Sequence, residues 1–346
     1  MPNGSGLPLG FTLALMAGTS FAIVFLLIPR LMPLFARYAL ARPSARSSRD
    51  TPTPQGGGAP IIAAILITLA LAGLGEAFVT AAAGVKHYYW LLLAGAVVLA
   101  LLGALDDIQP LPAGFRLGVQ TIIVALVVFG APESWRLMPA LPAPIERAVL
   151  VVAGMWFVTL TNFMDGIDWM VVAEFTPMLA LLLLWSAFEL VSLPAGAVAA
   201  TLLGGLVGFA PFNRHPARLF LGDVGSLPIG LIIAALLFEV AMRVSLAAAL
   251  LLPLYFLFDA TETLLRGLLG RQNVMQAHRR HAYQNAVDGG CPAPEVTAAV
   301  FQLNLGLAVL AGWAALVETA WIAGALLATG LAATILLTRR FRIARL

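Results

Sequence analysis

A single cysteine, Cys291, and a single lysine, Lys86, are all that this chain of 346 residues contains of either type, and charged residues of every kind make up only 11% of it. One cysteine excludes an intrachain disulfide and any metal centre built from thiolates. The shortage of charge excludes an ordinary soluble domain, in which about a quarter of residues are charged. Too few polar side chains remain to cover a water-facing surface, and no nucleic-acid partner is expected.

Apolar runs fill the chain instead. Hydrophobic residues make up 61% of it, and the mean hydropathy is +0.95. Stretches of about 20 apolar residues recur from end to end, each able to cross ~30 Å of hydrocarbon as a helix. The expected fold is an all-α, polytopic integral membrane bundle of about 11 transmembrane helices, or 10 if a weaker stretch does not span. The candidate spans are 8–34, 59–80, 88–105, 117–131, 147–163, 170–190, 194–211, 224–240, 246–265, 294–313 and 317–337, the second and fourth being the weakest. The opening MPNGSGLPLGFTLALMAG has no basic segment before its apolar run and no small-residue cleavage site after it, so it reads as the first span.

When these spans alternate, only Lys86, Arg136, Arg147 and Arg243 of the 20 basic residues fall on one side. Basic residues mark the cytoplasmic side, so the N-terminus is expected outside and the C-terminus inside. RSSRDTPTPQGGG, LDDIQP, NFMDGID, FLGDVGS and HRRHAYQ all fall in loops of the arginine-rich side. The chain therefore reads as one transmembrane domain, 1–346, with a site formed by loops at about 36–58, 106–116, 162–170, 212–224 and 266–293. Membrane lipids are its surroundings, and a homodimer is compatible with such a chain. Arg37, Arg42 and the C-terminal RRFRIAR read as plain charge against anionic headgroups.

The carboxylates of that side are unusual in place and number. Asp106 and Asp107 sit where hydrocarbon meets water, and neighbouring carboxylates repel, which raises one toward a useful base. Asn162, Asp165 and Asp168, three residues apart, can share one face of a helix, unless Gly166 breaks the turn and brings backbone near a ligand. Asp223 stands between Gly222 and Gly225 before a span, where a carboxylate also suits a helix N-terminus. Together these oxygens suit a hard cation such as Mg²⁺, which takes few protein ligands and fills its shell with water and phosphate. The clustered guanidiniums of Arg271, Arg279 and Arg280, beside His278 and His281, suit phosphate. In PTPQGGG, two prolines bend the chain and Gly56 and Gly57 remove side chains, which suits either a loop over phosphate or sugar or a plain turn.

In this order and on one side, PTPQGGG, LDDIQP, NFMDGID, GDVGS and HRRHAYQ resemble the polyprenyl-phosphate N-acetylhexosamine-1-phosphate transferases, glycosyltransferase family 4, whose superfamily includes the phospho-N-acetylmuramoyl-pentapeptide translocase. The resemblance runs from about Pro43 to Gln284, and DATETLLRGLLGRQNVMQAHRRHAYQ is similar to the branch that starts O-antigen and other surface polysaccharides. It implies transfer of a sugar 1-phosphate from a UDP-N-acetylhexosamine to undecaprenyl phosphate, with release of UMP. It further implies a bacterial inner membrane, a site facing the cytoplasm, and Mg²⁺ or Mn²⁺ as cofactor. By this resemblance Asp223 and Asn162 hold the metal, Asp168 reaches the uracil edge and Phe220 stacks on the ring. Asp106 deprotonates the lipid phosphate, Asp107 positions, and Asp165 joins the catalytic set. His278, Arg280 and His281 neutralise shifting phosphate charge, and Arg279 binds beside them. Where family members often carry lysine this chain has Arg116, which keeps the charge on the substrate without a transferable proton. Trp169 stands where glycine is usual, and Arg49 and Gln55 replace the usual His and Arg of the first loop.

Two rivals fit less well. A proton-coupled transporter calls for acids near mid-span, whereas those singled out lie at the arginine-rich ends. An intramembrane aspartyl protease has a Gly-x-Gly-Asp setting, where FLGD has Phe220, and needs no cluster of arginine and histidine.

Overall fold

The structure is a computed structural model that describes residues 9–41, 53–72, 83–270 and 280–343. His278, Arg279 and Arg271, with Arg42, Arg46 and Arg49 of the first loop, lie outside the described residues. In chain order the helices are α1 (Leu9–Tyr38), α2 (Gly58–Leu71), α3 (Ala83–Ile108), α4 (Ala113–Phe129), α5 (Ala143–Met164), α6 (Met170–Ala187), α7 (Leu193–Asn213), α8 (Asp223–Arg243), α9 (Leu246–Leu251), α10 (Leu254–Leu269), α11 (Ala282–Asp288), α12 (Ala293–Leu316) and α13 (Ala320–Ile343). Two short strands, β1 (Leu40–Ala41) and β2 (Thr53–Pro54), pair antiparallel.

The expected all-α membrane bundle is what forms. Among the described residues, eight helices, α1, α3, α5, α6, α7, α8, α12 and α13, are long and apolar enough to cross a membrane. Of the two stretches marked as weak, the fourth is the short apolar helix α4, and the described part of the second holds the short apolar helix α2, its residues 73–80 lying outside the described residues. The ninth stretch is a broken span. Pro253 separates α9 from α10 and cannot supply the N–H that would carry one helix into the next. The orphan N–H of Phe256 in the first turn of α10 is satisfied by the Glu174 carboxylate of α6 at 3.2 Å, whose other oxygen accepts from Asn304 of α12 at 2.7 Å. A polar group left unpaired at this depth costs several kcal/mol, roughly, so an acid here serves as a cap.

Helices α7 and α8 form the centre, with 78% and 83% of their apolar windows buried, while α13 is 11% buried and lies at the rim. Close approach at the N-terminus of α8 needs residues without side chains. A Cβ on Gly58 would lie 2.0 Å from the Cα of Gly225, and one on Gly103 would lie 2.2 Å from the carbonyl oxygen of Asp223. Helices α2 and α3 thereby press their backbones against the residues that carry Asp223. At the opposite end of the bundle, Arg136 binds the buried Glu146, and Arg147 donates to the carbonyls of Val128 at 2.9 Å and Pro132 at 2.8 Å, closing the end of α4.

Candidate active site

All five polar segments meet through described side chains and backbone. Asp107, at the end of α3, accepts from the N–H groups of Asp223 at 3.0 Å and Val224 at 3.1 Å, two of the orphan donors that begin α8. Its main-chain carbonyl in turn accepts from Gln55 at 3.1 Å. Both oxygens of Asp107 are therefore occupied in holding α8. Asp106 accepts from the Leu111 N–H at 2.7 Å and from Arg116 of α4, whose guanidinium also reaches Asp223 at 3.3 Å.

Asn162, on the last turn of α5, donates through Nδ2 to Asp223 at 2.7 Å and to Ser226 at 2.9 Å. An ionised carboxylate only accepts, so the amide turns its N–H to Asp223. Asn162, expected with Asp223 as a cation ligand, here turns its amide N–H to that carboxylate. Asp165 caps α5, and its carboxyl is pushed well above the usual carboxylate range by burial and then by the charges of Asp223, Asp107 and Asp168. Among the described residues, the cluster thus holds Asp106, Asp107, Asp165 and Asp223 against one bonded guanidinium, that of Arg116.

No group of three or more His, Cys, Asp or Glu side chains among the described residues stands ready to enclose an ion. A zinc-like cage does not fit, because it needs such a set. A magnesium-like ion does fit, since one carboxylate plus substrate phosphate and water suffices. Asp223, its side chain 24% exposed amid excess negative charge, is the residue that suits it.

Next to this cluster, Asp168 takes His215 Nδ1 at 2.8 Å and the Ala217 N–H at 3.0 Å on one oxygen. Trp169 follows with a left-handed backbone, φ 67°, its N–H bonded to Asn213 Oδ1 at 2.7 Å and its indole to the Ala210 carbonyl at 2.6 Å. That backbone favours glycine, and the two bonds hold tryptophan in its place. Phe220 is half-buried, and its backbone is tied to the PTPQGGG loop. Its N–H donates to Pro54 at 2.9 Å, while its carbonyl accepts from Gly56 at 3.2 Å and Gly57 at 2.9 Å. The amides of Gly56 and Gly57, expected near phosphate or sugar, are thus occupied in clamping the loop to the strand before α8.

From the basic segment, Arg280 is exposed and His281 is 3% exposed, so the cluster is not uniformly solvated. His281 opens α11, its ring stacked on Tyr283 at 5.7 Å and its Nδ1 3.9 Å from Asp259. Tyr283 donates to the Phe163 carbonyl at 3.0 Å. A Cβ on Gly166 would stand 2.0 Å from that hydroxyl, so Gly166 makes room for Tyr283. Asp259 accepts the Ala282 N–H at 2.9 Å, anchoring the same helix. Arg342 lies 3.8 Å from Asp259 and pairs with Glu262 at 2.7 Å, so this arginine of the C-terminal RRFRIAR is tied into the protein and is not merely facing headgroups. The sequence reading gives no site role to Asp259, Arg342, Ser226, Asn213 or His215, although Ser226 lies within GDVGS, Asp259 opens DATETLLRGLLG, Arg342 lies in RRFRIAR, and Asn213 and His215 are polar residues shortly before FLGD.

The family model described as glycosyl transferase family 4 matches residues 89–241. Over 258 residues the chain is 30% identical to the phospho-N-acetylmuramoyl-pentapeptide-transferase of Symbiobacterium thermophilum, covering 65% of this chain and 74% of that one. It is 30% identical over 254 residues to the decaprenyl-phosphate N-acetylglucosaminephosphotransferase of Mycobacterium tuberculosis, covering 67% of this chain and 61% of that longer protein. It is 24% identical over 291 residues to a probable undecaprenyl-phosphate N-acetylglucosaminyl 1-phosphate transferase of Bacillus subtilis, covering 78% and 77%.

Proposed function

Because the chain belongs to glycosyl transferase family 4, we propose that it transfers a HexNAc 1-phosphate from a UDP-sugar to undecaprenyl phosphate, releasing UMP and starting a surface polysaccharide such as O-antigen. The observation that carries this reading is the junction of Asp106, Arg116, Asp223 and Asn162 at the end of the bundle, where carboxylates outnumber the guanidinium bonded to them. Relatives bearing the names of polyprenyl-phosphate phosphotransferases support the same chemistry.

Such transfer needs little covalent help from protein; it needs two anions aligned and their charge offset. An oxygen of the lipid phosphate attacks the sugar-bearing phosphorus, and the bond to the bridging oxygen of UMP breaks. Asp223 would hold a divalent cation, which when bound would supply charge neutralisation for the donor diphosphate. Asp106 accepts the proton of the lipid phosphate, and Arg116, bonded to both Asp106 and Asp223, holds the two carboxylates in register. Asp107 keeps the N-terminus of α8, and so Asp223, in place. Asp168 and Phe220 receive the uracil, and exposed Arg280 draws phosphate from the water side. The distribution of basic residues supports a cytoplasmic site, N-out and C-in, and the family resemblance supports a bacterial inner membrane.

The test is UMP release by purified protein given undecaprenyl phosphate, Mg²⁺ and a panel of UDP-N-acetylhexosamines. Release that needs both lipid and metal, and that disappears in Asp223→Asn, is the expected result. Its absence with every donor, in protein that binds none of them by calorimetry, overturns the reading.

A further inference from the structure

The segment NRHPAR, between α7 and α8, contains a histidine that none of the roles above uses. His215 has a side chain 43% exposed, yet its Nδ1 lies 2.8 Å from an oxygen of Asp168, which is 6% exposed. Asp168 as a carboxylate only accepts, so the imidazole N–H donates. The Ala217 N–H meets the same oxygen at 3.0 Å. Asn213 laces the two segments again, accepting from Trp169 N–H at 2.7 Å and donating to the Leu219 carbonyl at 3.0 Å.

The terminal torsion of an aspartate is broad, and a carboxyl group swinging freely reads a ligand edge poorly. Two donors on one oxygen fix its plane. That matters where a base must be told from its near-isostere. Uracil presents an N–H at ring position 3, and cytosine presents a bare acceptor there. A site built to bond one edge rejects the analogue that lacks it, but only if its own group is held. An exposed ring adds little to stability by burial, so the value of His215 lies in where it holds Asp168.

We propose that His215 is a positioning residue of the nucleotide subsite, fixing the Asp168 carboxyl group so that it discriminates uracil from cytosine. The inference rests on the assignment of Asp168 to the uracil edge made above. Its test uses the purified full chain with Mg²⁺, titrated calorimetrically with UMP and CMP, together with donor kinetics. In His215→Ala, UMP affinity falls about tenfold, the worth of one charge-assisted hydrogen bond, while CMP binding stays within about twofold. The loss appears in the donor KM more than in kcat. His215→Asn places an N–H near the position of Nδ1 and recovers most of the discrimination. Asp168→Asn serves as the control and abolishes the preference for UMP. If Asp168→Asn leaves that preference intact, the base-reading assignment fails and takes the proposal with it. If Asp168→Asn removes the preference but His215→Ala keeps it, the positioning role alone is overturned. Equal loss of UMP and CMP in His215→Ala marks a merely structural tie and overturns it as well.

Discussion

Among the described residues, Arg116 is the only cation in hydrogen-bond contact with Asp106, Asp107 or Asp223. A planar fork can bridge two carboxylates where an ammonium acts as a point charge. Arg116→Lys is therefore expected to keep part of the UMP-release rate and Arg116→Ala to lose about tenfold or more, measured as kcat/KM. Asp223→Asn removes the carboxylate that suits the cation and is expected to cost about 10²–10³-fold in kcat, with the thermal melt little changed. Trp169 poses a different balance. Its left-handed backbone costs about 1 kcal/mol that glycine does not incur, while its indole bond to Ala210 returns a similar amount. Trp169→Gly should leave the melting temperature nearly unmoved, and Trp169→Ala, which keeps the strain and loses the bond, should lower it.

At the scale of elements, the basic segment is seated from two sides. Gly166 of the loop after α5 lies under the Tyr283 hydroxyl, and Asp259 of α10 caps α11. Gly166→Ala is expected to displace α11 and lower activity at least about tenfold, because a Cβ cannot share that space. Combining it with Tyr283→Phe, which removes the obstructing oxygen, should restore part of the loss. Simple addition of the two effects would show that the contact does not couple them. Asp259→Asn weakens acceptance of the Ala282 N–H, and about 1–3 kcal/mol of destabilisation is expected in a denaturation series. Arg342→Ala breaks a partly exposed pair and should cost under about 1 kcal/mol.

At the scale of the whole molecule, the basic residues on the far end are not a diluted sidedness signal. Arg136 and Arg147 close the end of α4 around Glu146, and Arg243 lies 3.6 Å from Glu239, which also accepts from Ser192 and Tyr89. Each of these three arginines has a structural reason to be there, which leaves the arginine excess of the site end as the orientation signal. Cys291 lies beside α11 at that end. An impermeant maleimide added to intact cells is expected to miss Cys291 and to label Glu318→Cys, placed between α12 and α13, in a Cys291→Ser background. The reverse pattern would overturn the N-out, C-in topology.

The sequence by itself determined the class of fold, the stretches that became helices and the list of polar segments, because the cost of burying polar backbone in hydrocarbon leaves long apolar runs no choice but helix. The fourth stretch, marked as weak, is the short helix α4. It did not determine what each polar residue does. PTPQGGG reads equally as a phosphate loop or a turn, and only the tertiary structure shows the amides of Gly56, Gly57 and Gly58 bonded to the carbonyls of Phe220 and Leu221. HRRHAYQ read as one cationic cluster, yet His281 and Tyr283 are pinned inside while Arg280 faces out. The break at Pro253 and the partners of Asp259 were equally invisible. Such roles depend on pairs such as Asp107 with Asp223, or Asp168 with His215, that are distant in sequence and adjacent only once the helices pack. Local pattern decides which segments are helical; the donor or acceptor each polar atom meets is decided by the tertiary structure.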